Sequence, residues 1–170
     1  MQLDLKAILD LFSAVAIVSG LIFAGVELRQ YRQLRERDTA LHLYKTFQTP
    51  EMVRARRIVF HIPDGLSKKE IVELVGERLE DVYYMIQSME GMGTLVMKRE
   101  FRVQMVEDFF SGLVLISWKK LQRFIEDERE EMGRQTIGEW FQWMAERIKE
   151  REGSNAAIPG YIEYKNWKEK

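Results

Sequence analysis

From Leu11 to Val26 the chain runs for sixteen residues without a charge, and from Arg29 onward apolar positions recur among charged ones at helical spacing. Sixteen helical residues span about 24 Å, short of the roughly 30 Å hydrocarbon core of a bilayer. Counting from Ala7 to Leu28 closes the deficit. It admits Asp10 and Glu27 near the two interfaces, where an ionised group costs far less than at the midplane. Lys6 lies one turn before Asp10 and partly neutralises it. Residues 1–28 therefore read as a transmembrane anchor. A buried helix of a soluble protein is the alternative, because the uncharged run falls below the usual ~18 residues. A cleaved signal peptide fits less well, since no basic cluster precedes the run and Ala14 and Ala16 lie inside it.

Past the anchor no helix breaker intervenes. Tyr31, Leu34, Leu41, Tyr44 and Phe47 fall on one stripe, so the helix is expected to continue to about Gln48. A dimeric coiled coil would place Asp38 and Lys45 in its core, so the stripe is expected to pack on the rest of the domain. Thr49-Pro50-Glu51 supplies a capping hydroxyl, a proline at the first helical position and an acid in the first turn. That helix carries Met52, Val53, Ile58 and Val59 to a turn at Ile62-Pro63-Asp64-Gly65. Ser67 and Glu70 form a capping box that opens a helix with Ile71, Val72, Leu74 and Val75, pausing at Gly76. The next helix, with Leu79, Val82, Tyr83, Ile86 and Met89, is expected to end at Gly91 to Gly93. Thr94 to Met97 reads as extended and Lys98 to Glu100 as a turn. Helix, short break, longer helix and extended pair is the layout of a winged helix-turn-helix unit over 67–101.

The last third is helical again, with Met105, Phe109 and Phe110 before Gly112, and Leu113, Leu115, Trp118, Leu121, Phe124 and Ile125 after it. A charged run from Glu126 to Glu131 follows. Its expected role is a solvated face, with docking onto Arg54, Arg56 and Arg57 as the alternative. A final helix over about 136–150 carries Trp140, Phe141, Trp143, Met144 and Ile148. The expected fold is mainly α: a transmembrane helix over 1–28, a cytosolic helical domain over 29–150 and a flexible tail over 151–170. In that tail Ile158, Tyr161, Tyr164 and Trp167 are available to a groove or a membrane.

Composition and charge narrow the function. With 31% charged and 46% hydrophobic residues and only three prolines, the chain has the make-up of a folded helical protein. The absence of cysteine removes disulfides, thiolate metal sites and cysteine nucleophiles. A net charge of −1 argues against general nucleic-acid binding. The recognition helix of such a unit sharpens this: between Glu77 and Glu90 one cation, Arg78, stands against Glu77, Glu80, Asp81 and Glu90, a surface that repels phosphate. Arg29, Arg32, Arg35 and Arg37 crowd one flank of the anchor, opposed by Glu36 alone. The positive-inside rule therefore sets them in the cytoplasm with the N-terminus outside. There they are candidates for anionic headgroups, at about 1 kcal/mol each. Arg54, Arg56 and Arg57 are a second candidate headgroup or acidic-partner site, or simply a solvated side. Ala16, Gly20 and Ala24 share one face of the anchor and would admit close packing by another helix.

No pattern specifies a reaction. His42 and His61 are the only histidines, and Asp38 with His42, four apart, supplies at most two metal ligands. No phosphate-cradling glycine motif, nucleophile elbow or Glu-x-x-His pair occurs, so neither a catalytic residue, a metal nor a cofactor is expected. Gly91-Met92-Gly93 reads as a helix end, and the tryptophans with Phe141 as core.

Several stretches together resemble an uncharacterised family of bacterial single-pass membrane-anchored helical proteins, a domain of unknown function. They are Ala40-Leu41-His42-Leu43-Tyr44 with Phe47, Pro50-Glu51, Ala55-Arg56-Arg57, Met89-Glu90-Gly91-Met92-Gly93-Thr94-Leu95-Val96, Trp118 with Arg129, and Trp140-Phe141 with Trp143-Met144. The resemblance covers about residues 8–148 and implies topology, fold and a bacterial inner membrane, but no activity. The leading expectation is a non-enzymatic adaptor or accessory subunit. It would be held in the bilayer and joined to another membrane protein or to its own copies. A tethered regulator that senses a ligand or contacts nucleic acid through 67–101 is the rival.

Overall fold

The computed structural model describes residues 5–154 and 159–168; within these, the side chains of 5–8, 32, 33, 35–37, 42 and 154 lie outside the description. Arg32, Arg35 and Arg37, candidates for the headgroup region, and His42 are therefore outside the described side chains, as is Ile158. Seven α-helices follow in order among the described residues: α1 Leu5–Thr46, α2 Pro50–His61, α3 Lys68–Val75, α4 Leu79–Met97, α5 Val103–Met132, α6 Glu139–Ser154 and α7 Gly160–Glu163. A single 3-10 turn, Gly76–Arg78, joins α3 to α4, and no strand occurs among the described residues. The chain divides into two compact units, between Leu43 and Tyr44.

The described residues of the first unit are all helical. Its segment Leu9–Tyr31, 23 residues of mean hydropathy 2.1, is long and apolar enough to cross a membrane. At ~1.5 Å per residue it covers about 34 Å, so the continuous helix removes the shortfall of the uncharged run alone. None of this segment is buried: Phe12, Leu21 and Phe23 are each about 70% exposed. A secretory signal meets the same criteria of length and apolarity.

The second unit is built on α2, α4, α5 and α6. Each turns a helical stripe inward: Met52, Ala55 and Val59 from α2; Val82, Met85, Ile86, Met89 and Met92 from α4; Val114, Leu121, Phe124 and Ile125 from α5; and Phe141, Met144 and Ile148 from α6. Burying each large side chain contributes roughly 1.5–3 kcal/mol. The caps are those the local sequence dictates. The Thr49 hydroxyl accepts the Met52 N–H at 3.2 Å, and Ser67 with Glu70 forms a complete capping box. Gly133, at φ +61°, closes α5 in the left-handed conformation, with the Arg134 N–H returning to the Arg129 carbonyl.

Two expectations need correcting. Thr94 to Met97 is not extended: α4 passes through Gly91 and Gly93 and ends only at Met97, so no wing strand forms. The Thr94 hydroxyl donates back to the Glu90 carbonyl at 3.0 Å, inside an unbroken helical ladder. The acidic run on α5 is neither wholly solvated nor docked on the arginines of α2. Asp127 accepts the Lys68 N–H at 2.7 Å, Glu128 pairs with the Lys68 ammonium at 2.8 Å, and Glu131 also binds that ammonium. These acids satisfy an orphan donor and a cation at the start of α3, clamping it to α5.

Candidate functional site

Four side chains of α2, Arg54, Arg57, Ile58 and His61, fall at i, i+3, i+4 and i+7 and so share one face. They form one wall of a cavity of about 620 Å³. Leu74 and Val75 from the end of α3, Arg78 from the 3-10 turn and Asp81 from α4 form the other, with Ile62 beside them. Ile62 and Val75 are buried, whereas Leu74 is 53% exposed, so an apolar floor carries one projecting side chain.

The cations are not equivalent. Arg54 is engaged, 3.3 Å from Glu51 and 3.7 Å from Asp81. His61 donates from Nδ1 to the Arg57 carbonyl at 2.6 Å, which fixes its tautomer when neutral. The guanidiniums of Arg57 and Arg78 have no hydrogen-bond or carboxylate partner among the described residues. They are exposed, yet border one concavity with an apolar floor.

The sequence-predicted trio divides. Arg54 and Arg57 meet in this groove, while Arg56, on another side of α2, does not line it. Arg78 belongs to the groove and was missed, because it was counted as a lone cation within an acidic helix. The Gly76 break was the available signal, since it takes Arg78 out of α4 and into the preceding turn. In the first unit Arg29, Ala16, Gly20 and Ala24 are exposed on α1, with open space around the position of a Gly20 Cβ. Among the described residues no three potential metal ligands cluster.

A second polar group is buried. Glu128, only 6% exposed, accepts the Tyr83 hydroxyl as well as the Lys68 ammonium. Burial pushes the Glu128 carboxyl up, but the bonds from Lys68 and Tyr83 outweigh it and hold the group below the ordinary carboxylate value. Glu128 and then Glu131 raise Lys68. Burial, reinforced by Glu128, pushes Tyr83 up to about 12. A cavity of about 270 Å³ adjoins this group, walled by Ile86, Phe124, Ile125 and Ile137.

The residues that carry the family resemblance largely build a joint between α4, α5 and α6. Glu90 accepts the Phe141 N–H at 2.8 Å, a carboxylate on the first turn of α6. Gly93 lies so close to α6 that a Cβ there would stand 2.2 Å from the Trp140 carbonyl oxygen. Trp118 meets Phe141 edge-on with centroids 5.2 Å apart, and Arg129 binds the Ile137 carbonyl at 2.7 Å and Gln142 at 2.8 Å. A family model described as a domain of unknown function (DUF4760) matches residues 14–148. The chain belongs to that family. No curated protein and no solved structure matches it. The DUF4760 match takes in most of the apolar run, the groove and the whole joint.

Proposed function

We propose that this DUF4760 protein is a non-enzymatic, membrane-anchored interaction module, an adaptor or accessory subunit that recruits a partner through the α2–α3 groove. The observation that carries this reading is the pair of unpartnered guanidiniums, Arg57 and Arg78, on one apolar-floored concavity. Arginine beside exposed apolar surface is the composition of an interaction hot spot. Support for a non-enzymatic role comes from the displaced titrations. Those of Lys68, Tyr83 and Glu128 arise in the structural clamp, and those of Glu51, Asp64 and Glu70 in helix caps and exposed ion pairs. The test is isolation of the full-length protein in a gentle detergent, with mass spectrometry of what accompanies it. A stoichiometric partner is expected, lost at least tenfold in the Arg57→Glu/Arg78→Glu variant. Retention by that variant would remove the groove from the account, and a bare chain would end the subunit reading.

We place the anchor in a bacterial inner membrane, N-terminus outside and the main domain cytoplasmic, on the weight of the basic flank beginning at Arg29. The chain has no cysteine, so single cysteines report topology cleanly. A cysteine at Gln2 is expected to react with an impermeant maleimide in intact spheroplasts, and one at Lys69 only after lysis. The reverse labelling would invert the topology, and a shortened mature chain would show a cleaved signal.

The groove also favours a second reading, a tethered regulator that senses a small anion. Its volume falls within the usual ~300–1,000 Å³ of small-molecule sites, and four of its nine lining residues come from the 67–101 segment.

A further inference from the structure

The basic groups of the groove do not converge on a point. Arg54, Arg57 and His61 are strung along α2 over seven residues, about 10 Å of helix at ~1.5 Å each. Arg54 is already neutralised by Glu51 and Asp81, which leaves Arg57 and Arg78 as the open charges. Leu74 projects beside them, and a purely ionic ligand would leave it in water. The fitting ligand therefore carries acidic and apolar groups side by side.

We infer that the groove receives an acidic amphipathic helix of the partner protein. Its carboxylates meet Arg57 and Arg78, and its apolar stripe covers exposed Leu74 and half-buried Ile58. An amphipathic helix repeats its apolar side chains every three or four residues and so presents acidic and apolar groups side by side. Asp81 and Glu51 sit together about Arg54. They repel further carboxylates there, so the acidic side chains of the ligand gather toward Arg57 and Arg78. This inference rests on the recruitment reading above and specifies the partner's chemistry.

The test uses the full-length protein in uncharged detergent micelles and a fluorescein-labelled helical peptide. The peptide carries leucines at successive i, i+3 and i+7 positions, flanked by glutamates. Anisotropy is expected to show saturable binding, at least tenfold weaker for a scrambled peptide of identical composition. Arg57→Glu, Arg78→Glu and Leu74→Asp are each expected to weaken binding tenfold or more. Arg56→Glu, on the same helix but outside the groove, should leave binding within twofold. Unchanged circular dichroism would show that the variants remain folded. Equal binding of the scrambled peptide, or indifference to Leu74, would reduce the groove to a polyanion site and overturn the helix. So would groove-dependent binding of phosphatidylglycerol vesicles or inorganic pyrophosphate with none of the peptide. If the partner still depends on Arg57 and Arg78 while the peptide does not discriminate, recruitment stands and the helical ligand falls. If neither depends on them, both fall.

Discussion

Gly93→Ala is expected to destabilise the protein by about 3 kcal/mol, at the upper end of ordinary overpacking. The added methyl group would stand 2.2 Å from the Trp140 carbonyl oxygen and 2.6 Å from its carbon, both backbone atoms with no rotamer to escape into. Either α6 withdraws, which strips packing from Phe141 and stretches the Glu90 bond to the Phe141 N–H, or α4 bends. Gly91 provides the internal control. It lies one residue from Met92 in the same helix, with open space where its Cβ would be. There alanine gains helix propensity and should stabilise by about 0.5–1 kcal/mol. Thermal unfolding of full-length protein in detergent should show the two melting temperatures moving in opposite directions, Gly93→Ala falling by about 10 °C. If the two variants melt alike, the close α4–α6 approach is wrong.

The second large effect belongs to the buried clamp. Glu128→Gln should cost about 2–3 kcal/mol near neutrality, because Lys68 and the Tyr83 hydroxyl lose a charged acceptor. Lys68 keeps Glu131, which limits the loss. The pH dependence follows from the direction of each shift. Glu128 is held below its ordinary 4.5, so below that pH the unfolded chain takes up a proton that the native state refuses. Its contribution is present above 4.5 and declines as the solution becomes more acid. Lys68 lies above its ordinary 10.5 and Tyr83 at about 12 rather than 10.0. In alkali the unfolded chain therefore releases protons that the native state retains. That contribution is whole below pH 10 and is lost as the pH rises beyond it. Urea unfolding at pH 3.5, 7 and 10.5 should give a plateau with two falling flanks. Glu128→Gln should lower the plateau and flatten both flanks, whereas Tyr83→Phe should soften the alkaline flank and, by removing one of the bonds that hold Glu128 low, the acid flank in part. Parallel curves for wild type and Glu128→Gln would remove this clamp from the stability of the protein.

Local chemistry explains what could be read without coordinates. The Thr49 and Ser67 caps, the Gly76 break and the turn at Lys98 to Glu100 are written in neighbouring residues, and each stands where its signal placed it. The extended reading of 94–97 failed for a nonlocal reason. Two glycines before Thr94 and Val96 look like a helix end, but Gly93 is needed so that α6 can lie against α4, and that contact keeps the helix going. The same limit governed the charges. Nothing local told Asp127 and Glu128 that Lys68 would arrive from 59 residues away. At the groove, the helical period of α2 paired Arg54 with Arg57, and only the turn of the chain after α3 brought in Arg78.

One element has a mechanical consequence. α3 is eight residues long, about 12 Å, with the Lys68 clamp at its first turn and Leu74 and Val75 of the groove wall at its last. It is held at its first turn by that clamp and along its inner face by buried Ile71 and Val75, which leaves Leu74 as the exposed apolar side chain of its last turn. If loosening the Lys68 clamp shifts the groove wall, then filling the groove must shift the clamp by the same free energy, since coupling between two sites is reciprocal. On the recruitment reading proposed above, the wall that meets the partner is thus tied at its other end to Glu128, in the interior of α5.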